Sequence, residues 1–211
     1  MRMICGNTVK KGRSWHQKHV VSPDTPMQIG ALNVGGLQKA AKRRRIIDLD
    51  LDLVALTETH VQCHLEHSES HQYPEYFSFW SHNASEHHFS GVGLLAMKST
   101  FWAAKQIRWP TDHPCFRFFK DSRLLAVQLW FGRGGTSLTV YVAYGVSGGG
   151  WDRSKQNYFH KLMSAVRHDG RSRGPIPHIL CGFSISKFRT LIAYVDIFKN
   201  GSGAMPEILL H

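Results

Sequence analysis

The sequence predicts an α/β domain, and three stretches carry that prediction. A strand, a helix and a second strand follow one another between Met27 and Thr57, as in an α/β unit with parallel strands. Two β-rich runs, 123–131 and 137–144, flank Gly132, Gly134 and Gly135 in the manner of a hairpin. A helical face spans 153–168, and the short apolar run His178 to Gly182 follows it.

Taken in order, residues 1–26 are polar and basic and end in Ser22-Pro23-Asp24-Thr25-Pro26, which predicts a flexible extension closed by a breaker. Met27 to Val34 reads as a buried strand stopped by Gly35-Gly36. Residues 38–49 are expected to be helical, with Ala40, Ala41, Ile46, Ile47 and Leu49 apolar and Lys42 to Arg45 forming a basic patch. Asp52 to Thr57 is the next short strand, and a polar stretch covers 60–75. Runs 76–80 and 91–97 read as strands around a polar loop. The helix at 153–168 sets Tyr158, Phe159, Leu162, Met163 and Val166 on one face. Past Ser186 the pattern weakens: Leu191 to Phe198 is strand-like until Asn200-Gly201-Ser202-Gly203 breaks it. The expected division is a basic extension (1–26), one domain (27–185) and a divergent tail (186–211).

With 211 residues, 42% of them hydrophobic, the chain has enough apolar material for one core and is not disordered in composition. Lys and Arg number 26 against 15 Asp and Glu, a net charge of +11. Such an excess favours an anionic partner, nucleic acid being the usual one, although it also serves solubility alone. Cys5, Cys63, Cys115 and Cys181 are scattered and form no Cys-x-x-Cys pair, which points to a reducing intracellular compartment, nuclear or cytoplasmic. No apolar run approaches the ~20 residues that span a bilayer, and the amino terminus lacks a secretory signal. Residues 1–23 hold no acid, a property shared with transit peptides.

Three polar residues fall at strand ends, where α/β proteins place their sites. Asn33 precedes the Gly-Gly turn, Glu58 follows the second strand, and Tyr144 ends the hairpin before Gly145. Singly, these types also suit a turn, a cap and packing. Their surroundings run Leu32-Asn33-Val34-Gly35-Gly36-Leu37, Leu53-Val54-Ala55-Leu56-Thr57-Glu58-Thr59, Ser90-Gly91-Val92-Gly93-Leu94-Leu95, Val140-Tyr141-Val142-Ala143-Tyr144-Gly145 and Ile179-Leu180-Cys181-Gly182-Phe183. In that order the segments resemble the endonuclease/exonuclease/phosphatase family of metal-dependent phosphodiesterases, of the kind also found in retroelement endonucleases. Thr57 stands where the family's Leu-Gln-Glu-Thr motif has Gln. The resemblance implies a two-sheet α/β sandwich flanked by helices and hydrolysis of phosphate esters with Mg²⁺ or Mn²⁺. It matches Glu58 to the metal-binding carboxylate, Asn33 to the metal and phosphate site, and Tyr144 to a Tyr near the scissile phosphate. Oxygen donors suit a hard cation, which neutralises phosphate charge and activates water.

The chain also departs from that pattern. The family has Gly-Asp-Phe-Asn where this sequence has Gly182-Phe183-Ser184, so the Asp that orients the attacking water is missing and Ser184 takes the place of the Asn. No Asp-His pair occurs between Gly182 and His211, where the resemblance would set a catalytic one. Loss of such residues removes orders of magnitude in rate. The domain is therefore expected to be an incomplete sandwich whose first sheet is partly uncovered, and its chemistry to be degenerate.

Lys39, Lys42, Arg43, Arg44 and Arg45 are candidates for phosphate contacts, DNA more than RNA, with a solvated helix face as the alternative. His60, His64, His67 and His71 are spaced by four, three and four, so one helical face would present all of them to a metal. Pro74 and Ser68-Glu69-Ser70 weigh against a long helix there. Three functions remain open from sequence: a nucleic-acid phosphodiesterase, a non-catalytic nucleic-acid-binding remnant, and a His-rich metal-binding module.

Overall fold

The computed structural model describes residues 2–3, 27–81, 91–132, 136–145, 153–174, 176, 178–183 and 191–194. Chain order runs β1 (Arg2–Met3), β2 (Gln28–Asn33), α1 (Ala40–Asp48), β3 (Leu53–Thr57), a 3-10 turn (Cys63–Leu65), α2 (Glu66–Ser70), β4 (Tyr76–Ser81) and β5 (Val92–Met97). It continues β6 (Ala103–Gln106), α3 (Phe116–Lys120), β7 (Leu124–Trp130), β8 (Ser137–Tyr144), α4 (Arg153–Ser172), β9 (His178–Phe183) and β10 (Leu191–Tyr194). The strands form two five-stranded mixed sheets, ordered β1-β2-β3-β5-β4 and β10-β9-β8-β7-β6.

Each sheet holds a parallel pair joined through a helix: β2 with β3 through α1, and β8 with β9 through α4. β7 and β8 form the predicted antiparallel hairpin, Leu124 opposite Ala143 and Trp130 opposite Ser137. Because side chains alternate across a strand, each strand feeds two cores. Leu53 and Ala55 of β3, Val92, Leu94 and Ala96 of β5, Leu125, Val127 and Leu129 of β7, and Val140 and Val142 of β8 meet between the sheets. The intervening Val54, Leu56 and Leu95 pack outward with Ile46 of α1 and Leu37. Ala126, Tyr141 and Leu180 face Leu162, Ala165 and Val166 of α4. The result is four layers, helix, sheet, sheet, helix. Burying each Leu or Val of the inter-sheet core contributes about 1.5–3 kcal/mol.

Several expectations change. The inner face of the first sheet is covered at its centre, where Leu53, Val92, Leu94 and Ala96 are at 0% exposure beneath the second sheet, and partly uncovered toward its margins, where Ala31 of β2 and Phe77 and Phe79 of β4 are only half-buried. Within the extension expected to be flexible, Arg2 and Met3 pair in parallel with Gln28 and Ile29. The second sheet runs past the expected domain limit at 185, because β10 pairs antiparallel with β9, Leu191 opposite Phe183. α4 continues four residues beyond the expected 168. Cys115 and Cys181 are buried free thiols, and burial pushes both up to about 12, so they are inert fillers. Among the described residues no helix is long and apolar enough to cross a membrane.

Candidate functional site

Asn33 and Thr57 are register partners at the carboxyl ends of β2 and β3, and Tyr144 and Phe183 are partners at the carboxyl ends of β8 and β9. Tyr144 continues the inward-facing row of Val140 and Val142 and packs in the inter-sheet core. From there its hydroxyl donates to Glu58 Oε1 at 2.5 Å. One hydrogen bond thus joins the two sheets at the end where the parallel strands of both terminate. No partner for Glu58 Oε2 is found among the described residues.

The segment carrying Glu58 is held tightly and under strain. Glu58 and His60 adopt left-handed backbone, φ 53° and 54°, a conformation that costs on the order of 1–3 kcal/mol for a non-glycine residue. Three backbone bonds impose it: Gly36 N–H to Glu58 O at 2.7 Å, Leu37 N–H to Thr59 O at 3.1 Å and Thr59 N–H to Gly91 O at 3.2 Å. Gly36, at φ 87°, lies so close to the His60 ring that an added Cβ would meet Nδ1 at 3.0 Å. His60 therefore belongs to this end of the molecule. A Cβ on Gly91 would stand 2.6 Å from Thr59 Oγ1.

Asn33 is exposed, and its Oδ1 accepts from Gly35 N–H at 3.1 Å, an Asx turn that leaves a second lone pair on the same oxygen. Glu58 and Asn33 are oxygen donors of the kind a hard divalent cation takes, and such a cation usually keeps several waters. One carboxylate and one amide are a partial donor set. Among the described residues no three His, Cys, Asp or Glu side chains converge. Ser184 lies outside the described residues.

The basic cluster divides. Lys42 Nζ donates to the carbonyls of Val34, Gly35 and Gly36 at 2.6, 2.8 and 3.0 Å, clamping the loop between Asn33 and α1. Arg43 makes a bidentate pair with Glu69 of α2, 2.9 and 2.7 Å, and that bond holds its pKa above the ordinary value. Arg44 pairs with Asp48 on the surface at 3.2 Å. Lys39 and Arg45 are exposed.

The four spaced histidines do not share a helix. His64 is in the 3-10 turn, His67 is in α2 and His71 caps it. The turn and a five-residue helix replace the single long face.

Sequence reading missed Arg123. It donates to Gly145 O at 2.7 Å and lies 5.5 Å from the Tyr144 ring centroid, bringing a cation behind the bridging tyrosine. The available signal was its position just before β7, which the hairpin register sets beside Tyr144. A second polar cluster also went unread. Asp169, on the buried face of α4, accepts from Trp109 Nε1 (2.9 Å), Tyr141 OH (2.6 Å) and Arg173 (2.7 and 2.9 Å). Burial alone would raise its pKa, but the bonds from Arg173, Tyr141 and Trp109 outweigh it and hold the carboxylate below its ordinary range. This fully bonded cluster fastens α4 to the second sheet.

The comparison with solved structures fixes the architecture. The chain is similar to the catalytic domain of Xenopus laevis APE2 at TM-score 0.52 and 18% identity, over 73% of this chain and 57% of that one. It is similar to the AP endonuclease LMAP from Leishmania major at TM-score 0.54 and 19% identity, over 72% and 53%. The chain therefore has the endonuclease/exonuclease/phosphatase fold, an architecture that nucleases carry, and it spans a little over half the length of these two structures. Neither the protein-family models nor the curated proteins match it.

Proposed function

We propose that this chain is a nuclease-like domain that binds a phosphodiester backbone with a divalent cation at Glu58 and no longer hydrolyses it. The observation that carries the reading is the Tyr144–Glu58 bond at the shared carboxyl end of both sheets, in a fold also found in an AP endonuclease. Glu58, with Asn33, the ladder partner of the preceding Thr57, would supply protein oxygens, and water and phosphate would complete the shell. The cation neutralises phosphate charge. Arg123 adds positive field behind Tyr144.

Support for lost hydrolysis comes from within the chain. β9 ends at Phe183 beside Tyr144, and the run Gly182-Phe183-Ser184 brings no carboxylate where the resemblance has the Asp that orients water. The charge of +11 supports nucleic acid as the partner class.

The test is cleavage of labelled plasmid and oligonucleotide with Mg²⁺ and with EDTA, together with oligonucleotide anisotropy across salt concentrations, for wild type and Glu58→Ala. Expected are no cutting above the EDTA control, salt-sensitive binding, and a Mg²⁺ enhancement of binding that Glu58→Ala abolishes. Mg²⁺-dependent cutting lost in Glu58→Ala would establish an active nuclease instead. Absence of salt-sensitive binding would remove nucleic acid as the partner.

A further inference from the structure

His67 and His71 point their Nε2 atoms at one another, 2.9 Å apart, with the rings at 82° and centroids 4.3 Å apart. Both residues are exposed. The backbone bond from His71 N–H to His67 O, 3.2 Å, keeps them one turn apart on one face. As they stand, one ring donates Nε2–H to the lone pair of the other. Two imidazole nitrogens one helical turn apart also become a chelate once the rings rotate to turn both Nε2 lone pairs from one another toward a shared ion. We infer that His67 and His71 form a surface site for a late first-row divalent cation of the Cu²⁺ type, additional to the Glu58 site and independent of the function proposed for it.

The separation selects the metal geometry. With metal–nitrogen bonds of about 2.05 Å, half of 2.9 Å sets the N–metal–N angle at about 90°. That is the cis angle of square-planar or octahedral coordination, the preference of Cu²⁺ and Ni²⁺, and Cu²⁺ binds nitrogen ligands most tightly of the series. A tetrahedral Zn²⁺ site needs a spacing nearer about 3.3 Å at the same bond length. Both rings must be neutral, with the proton on Nδ1. The ring now donating through Nε2 therefore shifts its proton to Nδ1, and no proton is lost. Water fills the remaining positions, because no third His, Cys, Asp or Glu converges on the pair among the described residues. The chain holds 14 histidines in all, which makes a composition-matched control necessary.

The test is Cu²⁺ titration of the full chain by calorimetry, with nitrogen hyperfine splitting in the Cu²⁺ electron paramagnetic resonance spectrum. Variants are His67→Asn, His71→Asn, the control His160→Asn on the exposed face of α4, and the exchange His71→Gln with Gln72→His, which keeps the histidine count and moves one ring off the shared face. Expected is a two-nitrogen site in wild type and in His160→Asn. His67→Asn, His71→Asn and the exchange should each weaken it on the order of tenfold or more, since the second ring binds at high effective concentration. Retention of that site in the exchange variant, or loss on removing one histidine of the pair and not the other, would overturn the inference. All four positions changed are exposed, and unchanged circular dichroism would verify that each variant folds.

Discussion

Lys42 opens a run of four basic residues, yet its ammonium points inward to the carbonyls of Val34, Gly35 and Gly36. Charge-assisted hydrogen bonds contribute roughly 1.5–3 kcal/mol, so Lys42→Met is expected to lower unfolding stability by about that amount. Urea denaturation measures it, and amide exchange should quicken at Gly36 and Leu37. Unchanged stability would mean that the ammonium is equally content in water. The same residue shows what sequence leaves hidden: a lysine beside three arginines reads as surface charge, and only the path of the Gly35-Gly36 turn shows that carbonyls converge on it. Glu58 and Tyr144 were legible as strand-end residues, but the bond between them was not, because nothing local links positions 86 residues apart.

At the level of the element, α1 offers Lys39 and Arg45 to solvent while Arg43 and Arg44 are engaged with Glu69 and Asp48. Lys39→Ala with Arg45→Ala is expected to weaken oligonucleotide binding and to reduce the salt slope by about 2, at ~0.9 per lost phosphate contact. The urea midpoint should hold, which separates this pair from Lys42. An unchanged slope would mark the face as merely solvated. Strands β3, β5, β7 and β8 were readable because they are nearly continuous apolar runs. The edge strand β6, Ala-Ala-Lys-Gln, was not, since an edge half in water needs no apolar pattern. α2 and α3, five residues each, are too short to show a helical period.

At the scale of the whole molecule, two buried groups among the described residues bear on the response to acid. Burial holds His178 below its ordinary 6.5, while Asp169 is held below its ordinary 3.8 against its own burial. In both cases the unfolded chain takes up protons first. Stability is therefore full above each ordinary value and is lost as pH falls through the depressed one. Urea midpoints should decline below about pH 6.5 as His178 resists charging, and again below about pH 3.8 as Asp169 loses its partners. A midpoint unchanged between pH 8 and pH 5 would show that His178 is as easily protonated folded as unfolded.

The bond between Glu58 and Tyr144 has a further consequence for anything that binds beside it. Donor and acceptor come from opposite sheets, so the bond closes only after both sheets have docked, late in a folding reaction dominated by distant contacts. Whatever binds at Glu58 finds no equivalent in the unfolded ensemble. Its concentration in the medium would then act directly on the proportion of chains that are folded, by mass action.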